Sequence, residues 1–303
     1  MHPAISVIFF TVTSGAGFGA MTVIGLGFPL DGSRLRILIL CLAACGLAVA
    51  GLIASTFHLG HPERAWRALS QWRSSWLSRE GVAAIATLVL FFAYGLIWMT
   101  TGTRLAWLGA LSATGAVFTV FATSMIYAQL KTVPQWNTGL TPAIYLGFSA
   151  ATGWLVVAGL GDAEAPAPAG LALVVFAWVL KLAWWRQSAR ARLSDIGASP
   201  ETATGLGFRG RVRLLESPHT GDNYLTREMV HRIGRKHAGT LRRLALLLGC
   251  VLPLGLLAAI VVLDAPSAFM LGPAGVMMAG LFLERWLFFA EAEHTVSLYY
   301  GHR

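Results

Sequence analysis

Between Ser55 and Gly81 the sequence reads STFHLGHPERAWRALSQWRSSWLSREG, which gathers two histidines, two glutamates, four arginines and three tryptophans. Near the far end, Glu284, Arg285, Glu291, Glu293 and His294 follow one another within ERWLFFAEAEH. Such residues can move protons near neutral pH. Histidine titrates there without perturbation, and a carboxylate can relay a proton to water. A quinone takes up electrons and protons together, so its ring oxygens need hydrogen-bonding groups of this kind. Each residue also has a plainer reading. His58 can simply end a helix, and Glu80 can sit where a helix N-terminus favours negative charge. Glu284 with Arg285 can be a charge satisfied inside a bundle, and His61 and His294 can be ordinary interfacial residues. Spacing alone leaves these alternatives open.

The elements that must position these groups are apolar. Mean hydropathy is +0.64, and only 12% of the 303 residues are charged. Runs of roughly 18 or more apolar residues cross a bilayer as helices. Eight fit, at about 5–30, 37–57, 81–101, 104–127, 142–160, 169–185, 241–263 and 268–292. They leave no room for a separate soluble domain. The expectation is an all-α integral membrane fold, a bundle of eight transmembrane helices forming one domain over 1–303. The first run does not read as a removable signal peptide, since MHPAISVIFF carries no positive n-region and no cleavage site follows. Cys41, Cys45 and Cys250 all lie in apolar runs. They read as small buried residues and are too few for an iron–sulfur cluster.

The formal net charge of +9 is a topology signal and implies no nucleic acid. Arg64, Arg67, Arg73 and Arg79 lie between runs two and three, and Lys131 between four and five. The connector between runs six and seven, 186–240, is the longest polar segment. With its edges it holds Lys181, Arg186, Arg190, Arg192, Arg209, Arg211, Arg213, Arg227, Arg232, Arg235, Lys236, Arg242 and Arg243. The opposite side has only Arg34, Arg36 and Arg104, and its loops GDAEAPAPA and DAPS are acidic. Lysine and arginine mark the cytoplasmic side. Both termini and the basic connector are therefore expected in the cytoplasm, in a bacterial inner membrane.

Local patterns refine this frame. SGAGFGA in run one gives a small-residue stripe, with Gly15 and Gly19 in G-x-x-x-G spacing, that lets another helix approach closely. A dinucleotide loop would need a preceding strand, and there is none. Pro62 is placed to open a helical segment. On a helical wheel, Trp66, Leu69, Trp72 and Trp76 face one way, and Arg64, Arg67, Gln71, Ser74 and Ser78 the other. That predicts an amphipathic interfacial helix, with Arg73 snorkelling from the apolar side. IYAQLKTVPQWNTGLTP is expected to fold back over the cytoplasmic mouth, because Pro134 and Pro142 interrupt a regular helix. GFRGRVRLLESPHTGDNY suggests a strand or hairpin, and LTREMVHRIGRKHAG an amphipathic helix capped at Gly239. The basic connector suits either anionic lipid or a soluble partner. Ionisable residues at span edges mark sites by default, so the ends of runs two, three and eight are expected to meet at one depth.

HLGHPERAWRAL through LSREG, IYAQLKTVPQWNTGLTP, and ERWLFFAEAEHTVS together resemble the DmsC-type membrane anchor subunits of complex iron–sulfur molybdoenzymes, over nearly the whole chain. Within that family the long basic connector is similar to that of the sulfite dehydrogenase anchors. The resemblance implies an anchor holding a four-cluster iron–sulfur subunit, which binds a catalytic partner with bis-molybdopterin guanine dinucleotide. It also implies a quinone site in the anchor, with His58 and Glu80 in the positions implicated in quinol binding. His61 stands where the dimethyl sulfoxide reductase anchors commonly have a small residue. Arg64, His294, Glu284 and Arg285 join the candidate quinone and proton-relay set. Arg209, Arg211, Arg213, Arg232, Arg235 and Lys236 form the candidate docking set. Basic connectors on the inside favour cytoplasmic partners, hence sulfite oxidation feeding electrons to quinone. Three other readings stay open at this point. One is an anchor drawing electrons from quinol. Another is an anchor carrying haem b, with ligands among His58, His61, His237 and His294. The third is a transporter, for which no internal repeat is visible.

Overall fold

The computed structural model describes residues 4–29, 33–161, 167–216 and 237–300. Among these residues, eight helices are long and apolar enough to cross a membrane. They are α1 Ile5–Gly25, α2 Arg34–Ala54, α3 Trp76–Thr101 and α4 Ala106–Ala128, then α5 Leu140–Gly161, α6 Ala167–Ser188, α7 Ala238–Val262 and α8 Leu271–Ala290. No strand occurs among the described residues. This is the all-α membrane bundle that hydropathy predicts, and the physical reason is plain. Lipid offers the backbone no hydrogen-bond partner, so each span must satisfy itself as a helix.

α1 is the hub, packing on α2, α4, α5 and α8. The small-residue stripe makes this possible. A Cβ on Gly19 would stand 1.9 Å from the Ser149 carbonyl oxygen, and one on Gly17 would stand 2.4 Å from the Ala48 nitrogen. α1 therefore meets α5 and α2 backbone to backbone. Gly15, the other half of the G-x-x-x-G, is different: a Cβ there would meet nothing within 4 Å.

α7 changes pitch in its middle, where Leu247–Val251 form a π-turn. Pro253 follows and has no N–H to give the carbonyl of Gly249, four residues back. The Trp178 indole N–H of α6 bonds that carbonyl instead, at 2.6 Å. The π-turn is thus a proline defect repaired by a neighbouring helix.

The connectors depart from the expected pattern. The segment expected as one interfacial helix is a 3₁₀ helix, Pro62–Gln71, followed by a turn in which Ser74 and Ser75 nitrogens bond the Gln71 carbonyl. α3 then begins at Trp76, five residues ahead of the expected start. Ser78, expected on the solvent face, is buried, because it belongs to α3 and not to the surface segment. Trp66 and Trp72 remain exposed, and the Arg73 guanidinium lies over the Trp72 ring at 5.4 Å.

The connector between α4 and α5 goes deeper than a cover. Val133 and Trp136 are buried, and the Trp136 indole stacks on Phe288 at 5.2 Å and donates to the Phe288 carbonyl at 3.0 Å. Pro142 is accommodated as the third residue of α5, where a missing N–H leaves no helical carbonyl unsatisfied. Beyond α6 the chain makes a one-turn helix, Pro200–Thr204, that packs against the tail segment Thr295–Tyr300. The expected hairpin is not formed in its described part: Gly207–Arg209 is a 3₁₀ turn and 210–216 has no regular partner. Its remainder and the amphipathic helix begun by LTREMV lie outside the described residues. Gly239, expected to end that helix, is instead the second residue of α7.

Candidate functional site

Glu80 sits in the second turn of α3, not at its opening residue, and is 4% exposed. That distance weakens the helix-dipole reading, whose effect fades after the first turn. Among the described residues its close polar partner is Thr123 of α4, whose hydroxyl bonds Glu80 Oε1. The same Thr123 Oγ1 lies 3.0 Å from the Thr119 carbonyl oxygen. A hydroxyl has a single proton. When Glu80 is ionised, Thr123 donates to it; when Glu80 is protonated, Glu80 can donate and Thr123 can turn to Thr119. The pair is a rotor that follows the carboxylate's proton.

A second buried group lies on α6 and α8. Lys181 of α6 forms an ion pair with Glu284 Oε1 of α8, and Arg285 Nε donates to Glu284 Oε2 at 2.5 Å. Lys181 and Glu284 are fully buried and Arg285 is 4% exposed. Aromatic faces take up the remaining positive charge: Lys181 Nζ is 3.9 Å from the Trp184 ring centroid, and the Arg285 guanidinium is 4.2 Å from that of Tyr145. The sequence pattern puts Lys181 at the edge of the basic connector. It is instead a core residue, because α6 continues through Trp184 and Trp185 to Ser188.

A cavity of about 30 Å³ lies among α1, α4, α5 and α8. Thr123, Arg285 and Tyr145 line it together with Thr11, Ser14 and Ser149. α3 packs on α2 and α4, and α8 on α1, α5 and α7. The expected meeting of the ends of runs three and eight therefore does not occur by direct packing. α1, α4 and α5 stand between them, and the cavity is the link.

The other predicted residues are not drawn in. His61 is exposed on the surface, with Nδ1 3.0 Å from Glu63 Oε1, and Arg64 flanks the same Glu63 at 3.7 Å. His294 is part-buried and its Nδ1 accepts the Val296 N–H at 3.1 Å; burial pushes its pKa down, favouring that neutral acceptor form. His58 closes the 3₁₀ turn Ser55–His58, which packs on α1 and α2; its side chain lies outside what the structure describes. His237 precedes α7 and is exposed. No histidine falls within any of the eight spans. Arg209, Arg211 and Arg213 are exposed, while Arg232, Arg235 and Lys236 lie outside the described residues. Sequence reasoning missed Thr123, Tyr145 and Lys181. Only Lys181 had a signal, a lone cation inside the apolar run VVFAWVLKLAWW.

Comparison with known proteins places this architecture. The family described as DMSO reductase anchor subunit (DmsC) matches residues 1–301. The chain belongs to that family. The C subunit of sulfite dehydrogenase from Allochromatium vinosum is 33% identical over 332 aligned positions, covering 99% of both proteins. The anaerobic dimethyl sulfoxide reductase protein YnfH of Escherichia coli K12 is 34% identical over 146 positions, 45% of this chain and 49% of its own length. The C component of the anaerobic dimethyl sulfoxide reductase from the same organism is 36% identical over 100 positions, 30% of this chain and 33% of its own length. No solved structure gave a significant match. The chain is thus a membrane-anchor subunit of an oxidoreductase complex of this family. A bundle of membrane-spanning helices suits that role.

Proposed function

We propose that this chain anchors a sulfite dehydrogenase to the bacterial inner membrane and carries its quinone site. Electrons would arrive from a four-cluster iron–sulfur subunit, which takes them from a molybdopterin subunit on the cytoplasmic face. The observation that carries this reading is the end-to-end similarity to the C subunit of a sulfite dehydrogenase, over 99% of both proteins. The charge distribution supports the cytoplasmic placement of both termini and of the partners, since basic connectors stay inside. The described part of the connector after α6 offers a suitable surface. Arg209, Arg211 and Arg213 alternate with exposed Phe208 and Leu215, at 80% and 93% exposure, a mix of charge and apolar area common at protein interfaces.

The connector ahead of Glu80 has apolar surface of the kind a quinone tail would need. Phe57, Trp66, Trp72 and Leu77 are exposed around the connector at 78%, 67%, 53% and 52%, an apolar approach from lipid for a long-tailed carrier. His58 closes the turn after α2 and Glu80 lies in the second turn of α3. In this reading His58 would supply a hydrogen-bonding imidazole and Glu80 a proton-exchanging carboxylate. A bound quinone would contribute the two-electron, two-proton redox chemistry. The chain's own part is to hold the ring oxygen and to move the proton through Glu80 and Thr123.

Purified complex tests this directly. Sulfite should drive reduction of a quinone analogue, and an iron–sulfur subunit should co-purify with the anchor. The partial likeness to dimethyl sulfoxide reductase proteins favours a second reading, an anchor oxidising quinol. Quinol-dependent dimethyl sulfoxide reduction, with no sulfite activity, would select it. A Soret band in the complex would instead point to haem b.

A further inference from the structure

The cavity between Thr123 and Arg285 has an uneven lining. Arg285 is 4% exposed, its Nη1 and Nη2 have no hydrogen-bond partner, and neither has the Tyr145 hydroxyl. Arg285 lies over the Tyr145 ring at 4.2 Å. That stacked position brings the two groups into interaction range without a well-aligned hydrogen bond. Arg285 and Tyr145 therefore bring donors to the lining. The other lining hydroxyls have their protons committed elsewhere. Thr11 donates to the Ile8 carbonyl at 3.1 Å, Ser14 to Phe10 at 2.6 Å and Ser149 to Gly15 at 2.7 Å. The proton of Thr123 goes to Glu80 or Thr119. These hydroxyls offer lone pairs only.

An anion would need donors all round. Water accepts and donates, and it suits a lining that offers both donors and acceptors. A buried water occupies roughly 10–15 Å³ of such space, so about 30 Å³ holds a pair. We propose that the cavity holds a hydrogen-bonded water pair that links Arg285 and Tyr145 to Thr123 and so to Glu80. Arg285 is then a positioning residue for the Glu80 proton. The claim about proton traffic rests on the quinone reading above; the water site itself does not. The groups facing Glu80 from neighbouring elements are Thr123 and Tyr127 of α4, Tyr145 of α5 and, at the cavity, Arg285 of α8. Arg79 of α3 turns away to the Trp72 and Arg73 carbonyls. Among these, Arg285 is the cation that the water pair brings into hydrogen-bonded register with Glu80.

Gly15 offers a clean test. It lines the cavity, and a methyl there meets no heavy atom within 4 Å, so Gly15→Ala displaces water without disturbing the helix contacts. In the whole complex we expect water density in a high-resolution map of the wild type and its loss in Gly15→Ala. The carboxyl infrared band, assigned by its loss in Glu80→Gln, should titrate at a different pH in Gly15→Ala. Quinone-linked turnover should fall about tenfold, a fraction of what a positioned acid–base group contributes, with dye-linked activity unchanged. A dry cavity in the wild type, or an unshifted carboxyl titration in the variant, would overturn the proposal. Absence of any quinone-linked activity in the wild type would overturn the quinone reading instead, and the map and the infrared band would still decide on the water.

Discussion

Glu80 and Glu284 are buried to a similar degree, 4% and 0% exposed, and each bonds a residue that lines one cavity, Thr123 for Glu80 and Arg285 for Glu284. Glu284 touches two cations, and both of those lie over aromatic faces. Glu80 touches one threonine hydroxyl. The first arrangement neutralises a charge and locks it. The second leaves the carboxylate's charge state to be set by its surroundings, because a neutral hydroxyl stabilises an ion far less than a cation in contact does. The two regions thus contrast a carboxylate matched by cations with one whose partner is a neutral hydroxyl. The same substitution at both positions should give opposite outcomes.

Glu284→Gln is the harshest test. It leaves Lys181 and Arg285 as two buried cations with no counter-charge, and breaking a buried ion pair costs about 3–5 kcal/mol. The expected result is loss of monodisperse, assembled complex, read by size-exclusion chromatography after mild heating. A variant as stable as wild type would mean the cluster is not the lock described here.

Glu80→Gln should leave stability nearly unchanged, since an amide oxygen still accepts from Thr123. Quinone-linked turnover should drop by roughly 10²-fold or more, the scale of general acid–base catalysis, while dye-linked activity persists. If the variant fails to assemble, Glu80 is as structural as Glu284, and the contrast disappears.

How much of this is legible in the sequence divides along the same line. The eight spans are legible because each is a long apolar run, and the basic side because lysine and arginine concentrate in alternate connectors. Glu80 and Arg285 stand out as ionisable residues near span ends. Their partners do not, for a physical reason: threonine and tyrosine are ordinary in membrane helices, and only the crossing of α4 and α5 shows that Thr123 and Tyr145 face the same cavity. Lys181 is misplaced by charge counting, which groups it with the basic connector although it lies inside the sixth apolar run, and α6 buries it. The surface segment misleads for a different reason. Residues 62–78 have one amphipathic pattern on a wheel, but a turn at Gln71–Ser75 breaks them into two elements with unrelated faces.

Thr123→Val has a smaller expected effect and sharpens the contrast. It removes the hydroxyl on Glu80 and leaves the Thr119 carbonyl in its helix bond. A buried polar group that loses its partner costs about 1–3 kcal/mol. Glu80 can escape much of that by staying protonated. Turnover should therefore fall roughly tenfold with a displaced pH profile, whereas assembly is retained. An unchanged profile would show that the hydroxyl does not follow the proton.

Lys181→Met should do least, and the reason distinguishes the cluster from a simple pair. With Lys181 present, two cations share one carboxylate; without it, Glu284 and Arg285 remain as a neutral pair joined at 2.5 Å. Methionine fills most of the lysine stem's volume and lies against Trp184 without a buried ammonium to compensate. Stability should stay within about 1 kcal/mol of wild type, because removing a buried charge offsets much of the attraction lost with it. If Lys181→Met instead unfolds the complex as readily as Glu284→Gln, the excess positive charge is itself part of the lock. The distinction between the two carboxylates would then rest on charge count and not on whether the carboxylate is matched.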